Sequence, residues 1–248
     1  MTSEMVLSHV SAGVLHQLPS WESTLERVTV LRLSGGHGSR RRNLHVRLSP
    51  VAPAEITEID GYPVTRLERT AIDLGCLHDY DRAVAVMDAA LHLKASFDIM
   101  ADTVEAARAR RGVATARAAL SFADGRSESV GESISRVRMA AAGLPAPQLQ
   151  VNVFDEFGTW LARTDFGWEM LGVLGEFDGR IKYVGTSDQV ARTVMLEKDR
   201  EDRLRELGWA VVRWKWADLA DLDGFRRRIE AAIAQANPSA IRGFIQPS

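Results

Sequence analysis

Apolar residues recur at helical spacing over residues 6–18, and Pro19 ends the run, so the pattern predicts a helix there. Two β-rich runs follow, 27–33 and 44–48. Gly35-Gly36-His37-Gly38-Ser39 between them reads as a hairpin loop. Residues 54–59 predict a third strand that turns at Asp60-Gly61. Pro63-Val64-Thr65 leads into a helix over 67–77, with Thr65 and Glu68 at the spacing of a capping box. Asp79 or Asp81 caps the next helix, an alanine-rich amphipathic segment through Leu93. A further helical stretch covers 101–122 with a break at Gly112.

The composition shifts at Ala123-Asp124-Gly125-Arg126-Ser127, which predicts a boundary between a domain of residues 1–124 and one of residues 125–248. The second begins with a helix that has Ser129 as its cap and Glu132 in its first turn. Gly143, Pro145 and Pro147 stop it. Residues 148–154 predict a strand, Asp155-Glu156-Phe157-Gly158 a hairpin turn, 159–165 a second strand and 171–177 a third. An amphipathic helix over 191–207 is stopped by Gly208. A strand at 209–214 and a helix over 222–236 complete the half. The order α-β-β-β-α-β-α predicts a mixed sheet flanked by helices, so the fold class of the chain is α/β, of the α+β kind.

The composition excludes several classes. At 248 residues, 46% hydrophobic and 26% charged, the chain has ample core and is not a disordered sequence. It holds no apolar run long enough to span a bilayer and no signal-peptide pattern, so the expectation is a cytoplasmic protein without a membrane partner. A single cysteine, Cys76, excludes a disulfide framework or zinc-finger cluster. Its apolar surroundings predict a buried small hydrophobe. The net charge of −2 counts against a nucleic-acid partner, whereas Arg40-Arg41-Arg42 and Arg226-Arg227-Arg228 are local basic runs that also read as solvated faces.

The chemistry concentrates in Thr164-Asp165-Phe166 and Gly175-Glu176-Phe177-Asp178-Gly179-Arg180-Ile181-Lys182. Residues i and i+2 of a strand share a face, so Glu176 and Asp178 point the same way, and Asp165 at the end of the neighbouring strand reaches the same edge. Crowded carboxylates repel unless a cation or proton lies between them. Oxygen ligands without histidine or cysteine suit Mg²⁺ or Mn²⁺, and such an ion beside a lysine suits phosphodiester cleavage. Simpler roles compete at some positions. Asp178-Gly179 is a good turn, Glu132 suits a helix N-terminus, and Lys182 suits a solvated strand edge.

The order of elements, with these carboxylates, resembles the PD-(D/E)XK nuclease superfamily over residues 127–221, and within it the Vsr-like endonuclease subgroup. Gly131-Glu132-Ser133-Ile134-Ser135-Arg136 is similar to its acidic first helix, Asp165-Phe166 to its D-F, and Glu176-Phe177-Asp178-Gly179 to its E-x-D-G. Asp199-Arg200, Arg203-Leu204 and Gly208-Trp209-Ala210-Val211-Val212-Arg213-Trp214 are similar to its closing helix and strand. The resemblance implies a restriction-endonuclease-like fold and metal ligation by Asp165 and Glu176, with Glu132 as an outer ligand. Asp178 stands where the E-x-K pattern has lysine. Either Lys182 swings back as the transition-state cation or Asp178 acts on the water. The subgroup has histidines near here, and this half has none. Arg136, Lys198, Arg200 and Arg203 are candidates for phosphate contact, although the mixed signs around 197–203 also suit an ion-paired helix. Trp160, Trp168, Trp209, Trp214 and Trp216 offer stacking faces, with a core role the simpler reading for most.

In the first half, Ser8-His9-Val10-Ser11-Ala12-Gly13-Val14-Leu15-His16 and Pro63-Val64-Thr65-Arg66-Leu67-Glu68-Arg69-Thr70-Ala71-Ile72-Asp73-Leu74 resemble the central region of AbiE-type antitoxin-like proteins of actinobacteria. Members usually carry a DNA-binding winged helix ahead of this region. The chain begins after that point, so winged-helix DNA binding is not carried over. His9 and His16 lie seven apart, a spacing for packing and capping roles or for a metal pair. The combined expectation is an Mg²⁺- or Mn²⁺-dependent DNA endonuclease acting on duplex, mismatched or single-stranded DNA in repair or defence. RNA stays open as substrate, and the first domain positions substrate or recruits a protein partner. The rival expectation is an antitoxin-like regulator or nucleic-acid-binding protein on a catalytically degenerate nuclease fold.

Overall fold

The computed structural model describes residues 5–21, 25–34, 37–179 and 187–248, and for 187–194, 196 and 197 the backbone alone. It is a mixed α/β structure with two mixed sheets flanked by helices, and it divides into two compact units, 1–133 and 134–248.

The first unit holds β1 (Met5–Leu7), α1 (His9–Leu15), β2 (Val28–Arg32), β3 (Ser39–Arg40), β4 (Leu44–Arg47), β5 (Ile56–Ile59) and β6 (Tyr62–Thr65). The helices α2 (Leu67–Gly75), α3 (Tyr80–His92), α4 (Phe97–Ala106) and α5 (Val113–Phe122) follow. The sheet order is β3-β4-β2-β1-β6-β5. The expected helix over 6–18 is therefore a strand followed by a shorter helix. Met5-Val6-Leu7 pairs antiparallel with β2 and parallel with β6 at the sheet centre, and that pairing overrides the local helical spacing. The hairpin expected around 35–39 is also corrected. β2 and β4 are parallel neighbours, and the short β3 forms the hairpin with β4. The Thr65–Glu68 capping box is absent. Thr65 and Thr70 share a hydroxyl hydrogen bond of 2.7 Å, and Glu68 accepts the Ser96 N–H at 3.2 Å.

Asp79 caps α3 by accepting the Arg82 N–H at 3.0 Å, one of the two expected caps. Gly112 separates α4 from α5. Its φ of +84° suits glycine, and a Cβ there would lie 2.0 Å from the Cys76 carbonyl oxygen. Cys76 is buried as expected, and burial pushes its thiol pKa up.

Helix α6 (Val130–Ala141) leads into β7 (Gln148–Asp155), β8 (Trp160–Trp168), β9 (Val173–Phe177), α7 (Ser187–Glu206), β10 (Ala210–Trp214), α8 (Trp216–Ala220), α9 (Leu222–Gln235) and β11 (Gly243–Pro247). The second sheet has the order β10-β9-β8-β7-β11. Among the described residues only the β9–β10 pair of this sheet is parallel, and α7 lies in the crossover that a parallel pair requires. One core layer gathers Met139, Phe166, Trp168, Val173, Trp214, Phe225 and Ile229. The other gathers Val151, Ala162, Leu174, Leu204, Trp209 and Ile245. The Trp214 indole N–H donates to Ser135 Oγ at 2.7 Å, which satisfies a buried donor on α6's side of the sheet. Gly175 lets β9 pass under two tryptophans, since a Cβ there would meet Trp214 at 2.8 Å and Trp168 at 3.1 Å.

Candidate functional site

The antiparallel register of β8 and β9 sets Phe166 opposite Gly175. Asp165 and Glu176 are the next residues on the two strands, just beyond that last pair, where strand alternation puts both on the face opposite Phe166. The Phe177 backbone N–H donates to Asp165 Oδ2 at 2.8 Å, so the carboxylate takes the place of a backbone acceptor at the strand end. Across β8 from Asp165, Gln150 is buried at φ +50°. The β7–β8 ladder pairs Leu149 with Phe166 and Val151 with Thr164 and is interrupted between them. A left-handed non-glycine residue inside a strand costs about 1–3 kcal/mol and persists only where its surroundings fix it.

Glu176 is the centre of a guanidinium network. Arg200 Nη2 donates to its Oε1 at 2.9 Å, and Arg213 Nη2 lies 2.8 Å from its Oε2. Arg213 is set there by the β9–β10 register, which pairs it with Glu176, and its Nη1 lies 3.1 Å from Glu201. Arg205 extends the chain by pairing with Glu201. Asp178 stands beyond the end of β9, where its N–H donates to the Trp214 carbonyl at 2.8 Å and its carboxylate lies 3.6 Å from Lys215 Nζ. Next to it, Trp216 packs edge-on against Phe177 with ring centroids 5.0 Å apart, and Trp216 is 44% exposed.

Other residues singled out from sequence have separate surroundings. Glu132 is buried in the first turn of α6. Its carboxylate accepts the Glu128 N–H at 2.9 Å and the Ser129 hydroxyl at 2.7 Å, and its own N–H donates to Ser129 Oγ. This is a capping arrangement. Arg136 is half-buried on α6, while Lys198 and Arg203 are exposed on α7. Lys182 lies outside the described residues. Among the described residues, no group of three or more His, Cys, Asp or Glu side chains is arranged to hold a metal ion. Trp168, Trp209 and Trp214 are buried, which leaves Trp160 and Trp216 as exposed rings. Sequence reasoning missed Arg213 and Lys215. The signal for Arg213 was strand parity on 209–214, and Lys215 follows that strand directly.

The first unit carries a buried polar cluster. Asp73 is fully buried and accepts from Arg69 Nε at 2.9 Å and from Arg110. Arg69 also donates to Glu55 at 2.9 Å, to the Pro50 carbonyl at 3.0 Å and to Ser49 at 3.0 Å. His9, at φ +50° and 1% exposed, has Nδ1 within 3.0 Å of Ser8 Oγ and 3.6 Å of Asp73, and Nε2 within 2.9 Å of Arg110. Burial lowers the His9 pKa to about 3, against the attraction of Asp73 and with the repulsion of Arg47, Arg110 and Arg69. Burial alone would raise Asp73. Its cationic neighbours hold it below the usual carboxylate range, and with His9 neutral at pH 7 the guanidiniums do this work. His16 points elsewhere, with Nε2 2.8 Å from the Thr65 carbonyl, so the two histidines serve separate contacts.

No family model matches the chain, and no solved structure matches it. It is similar to an uncharacterized protein of Mycobacterium tuberculosis found in two strains. Each of the two is 32% identical to it over 160 residues, which is 64% of this chain and 57% of the relative. The chain thus spans little more than half the length of the curated relatives it matches.

Proposed function

We propose that the second unit is a divalent-metal-dependent DNA endonuclease with a PD-(D/E)XK-like fold. The observation that carries this reading is the placement of Asp165 and Glu176 just beyond the Phe166–Gly175 pair that ends the β8–β9 ladder, with the Phe177 N–H holding the Asp165 carboxylate there. Mg²⁺ is commonly held by one or two carboxylates plus substrate phosphate oxygens, so two carboxylates on adjacent strands fit it or Mn²⁺. The ion would polarise a phosphoryl oxygen and acidify a water. Asp165 is oriented for ligation by the Phe177 N–H, which fixes one of its oxygens. Glu176 must give up a guanidinium to bind a metal. Arg200, so released, would be available to a substrate phosphate, which suits its bidentate geometry. Lys215 stands 3.6 Å from Asp178 and would supply the ammonium that the E-x-D sequence lacks. The exposed ring of Trp216 offers a stacking face for an unpaired base. The first unit would position substrate or recruit a protein partner.

A second reading rests on the same glutamate. With both oxygens held by Arg200 and Arg213, Glu176 is already neutralised, as it would be in a catalytically degenerate nucleic-acid-binding scaffold or antitoxin-like regulator. A cleavage panel separates the two. Plasmid, linear duplex, mismatched duplex, single-stranded DNA and RNA are incubated with Mg²⁺, Mn²⁺ or EDTA, using wild type, Asp165→Asn and Glu176→Gln. Metal-dependent cutting lost in both variants supports the endonuclease and names its substrate. Absence of cutting with equal nucleic-acid binding by all three proteins rejects it in favour of the scaffold.

A further inference from the structure

A cavity of about 250 Å³ in the first unit is lined by Arg27, Arg40, Arg47 and three histidines, His9, His45 and His78, with Glu26 the one carboxylate among its lining residues. The strand register brings most of this charge together. Arg40 on β3 is directly opposite His45 on β4, His45 is paired in turn with Thr29 on β2, and Arg47 is two residues further along β4. Opposed residues and residues two apart share a sheet face, so Arg40, His45 and Arg47 project from one surface. Arg40 and Arg47 are diagonal neighbours on that surface, and two guanidiniums so placed repel each other.

The counter-charges nearby are already engaged. Glu26 pairs with Arg27 at 3.1 Å, and Asp73 is held by Arg69 and Arg110. Among the described residues, Arg47 and Arg40 have no ion-pair partner, and the buried Nε atoms of Arg27 and Arg47 have no hydrogen-bond acceptor. The crowding shows in the titration of the group at its centre. His45 is lowered by burial and then by Arg47, Arg40 and Arg27.

We propose that this cavity binds a phosphate group, either as free phosphate or as a small phosphate monoester. Several guanidiniums converging from different strands match a tetrahedral dianion, whose oxygens accept from each fork in turn. A carboxylate offers one plane and one charge. The cavity has the room of about eight waters, more than a bare phosphate fills, so a sugar-sized group can accompany it. The site uses residues of the first unit alone, requires no metal, and stands apart from the endonuclease reading.

Isothermal titration of the full chain in EDTA tests it, with inorganic phosphate, ribose 5-phosphate and ribose as probes. The expected result is binding of at least one phosphate-bearing probe, none of ribose, and a loss of about tenfold or more in affinity for each of Arg47→Gln and Arg40→Gln. Preference for ribose 5-phosphate identifies a monoester, and equal or better binding of inorganic phosphate identifies the free anion. Arg40 is exposed at the sheet edge, so its variant does not put folding at risk. Thermal melting of the phosphate-free variants adds a second readout. Relief of like-charge crowding leaves their melting temperature unchanged or raised, whereas phosphate raises that of wild type alone. Absence of binding by both phosphate probes, binding of ribose alone, or undiminished phosphate binding in both variants overturns the proposal.

Discussion

His9 makes the stability of the first unit depend on pH in a calculable way. In the unfolded chain its imidazole takes a proton near pH 6.5, but inside the fold only near pH 3. Between these values the unfolded state binds more protons, so stability falls as pH falls. The contribution is complete above about pH 6.5 and is lost progressively down to pH 3. Each pH unit in that window is worth about 1.4 kcal/mol, so moving from pH 7 to pH 5 costs about 2 kcal/mol through His9 alone. That is a large share of the 5–15 kcal/mol typical of a domain. Cys76 provides a unit-specific probe, being the single cysteine of the chain and buried in the first unit. Its labelling by a pyridyl disulfide across a urea series, at pH 7 and pH 5, reports unfolding of that unit. The wild type should lose about 2 kcal/mol more than His9→Gln between the two pH values. His45 and His78, also lowered first by burial, remain in the variant, so the difference isolates His9. An identical loss in both proteins would refute the buried neutral imidazole.

Arg69→Met strands the Asp73 carboxylate with only part of its compensation and should destabilise the first unit by about 3–5 kcal/mol in the same Cys76 assay. Gly112→Ala forces both a left-handed alanine and a methyl 2.0 Å from the Cys76 carbonyl. A loss above about 2 kcal/mol is expected, and one below about 0.5 kcal/mol, the size of a neutral surface change, would contradict the close approach. Arg200→Gln frees one oxygen of Glu176, so on the metal reading Mn²⁺ should raise the melting temperature of this variant more than that of wild type. An equal or smaller rise counts against Glu176 as a ligand.

Where local pattern and long-range pairing agree, the sequence is sufficient. β7 to β10 read correctly because each strand is short, apolar and bounded by turns, with Gly158 and Gly208 at positive φ where the chain must turn or stop. Met5-Val6-Leu7 reads wrongly because three apolar residues in a row satisfy a helix or a buried strand equally. Only the remote partners β2 and β6 decide between them. β11 is invisible for the opposite reason. Gly243–Pro247 contains glycine, glutamine and proline, poor strand formers, and its pairing with β7 lies at the sheet edge where proline is tolerated. Strand parity grouped Glu176 with Asp178, and the neighbouring strand end brought in Asp165, but the partners of Glu176 come from α7 and β10, beyond the reach of any local motif.

The two units treat charge in related ways, which bears on the near-neutral net charge of −2. In the second unit, Glu176 is matched by two guanidiniums and Glu201 by two more contacts from Arg205 and Arg213. In the first, Asp73 is matched by Arg69 and Arg110. A global count therefore cancels arginines that are engaged in internal pairs against carboxylates that are equally engaged, and it carries no information about either site. What remains is local. Arg40 and Arg47 stand without ion-pair partners among the described residues around one cavity, and Arg200 is held near a sheet end by Glu176 and the Arg163 carbonyl. Guanidinium groups in the first arrangement recognise an anion without first breaking a contact. In the second they become available only when Glu176 finds another cation. Binding at the cavity should thus be independent of divalent metal, whereas phosphate contact by Arg200 should require it.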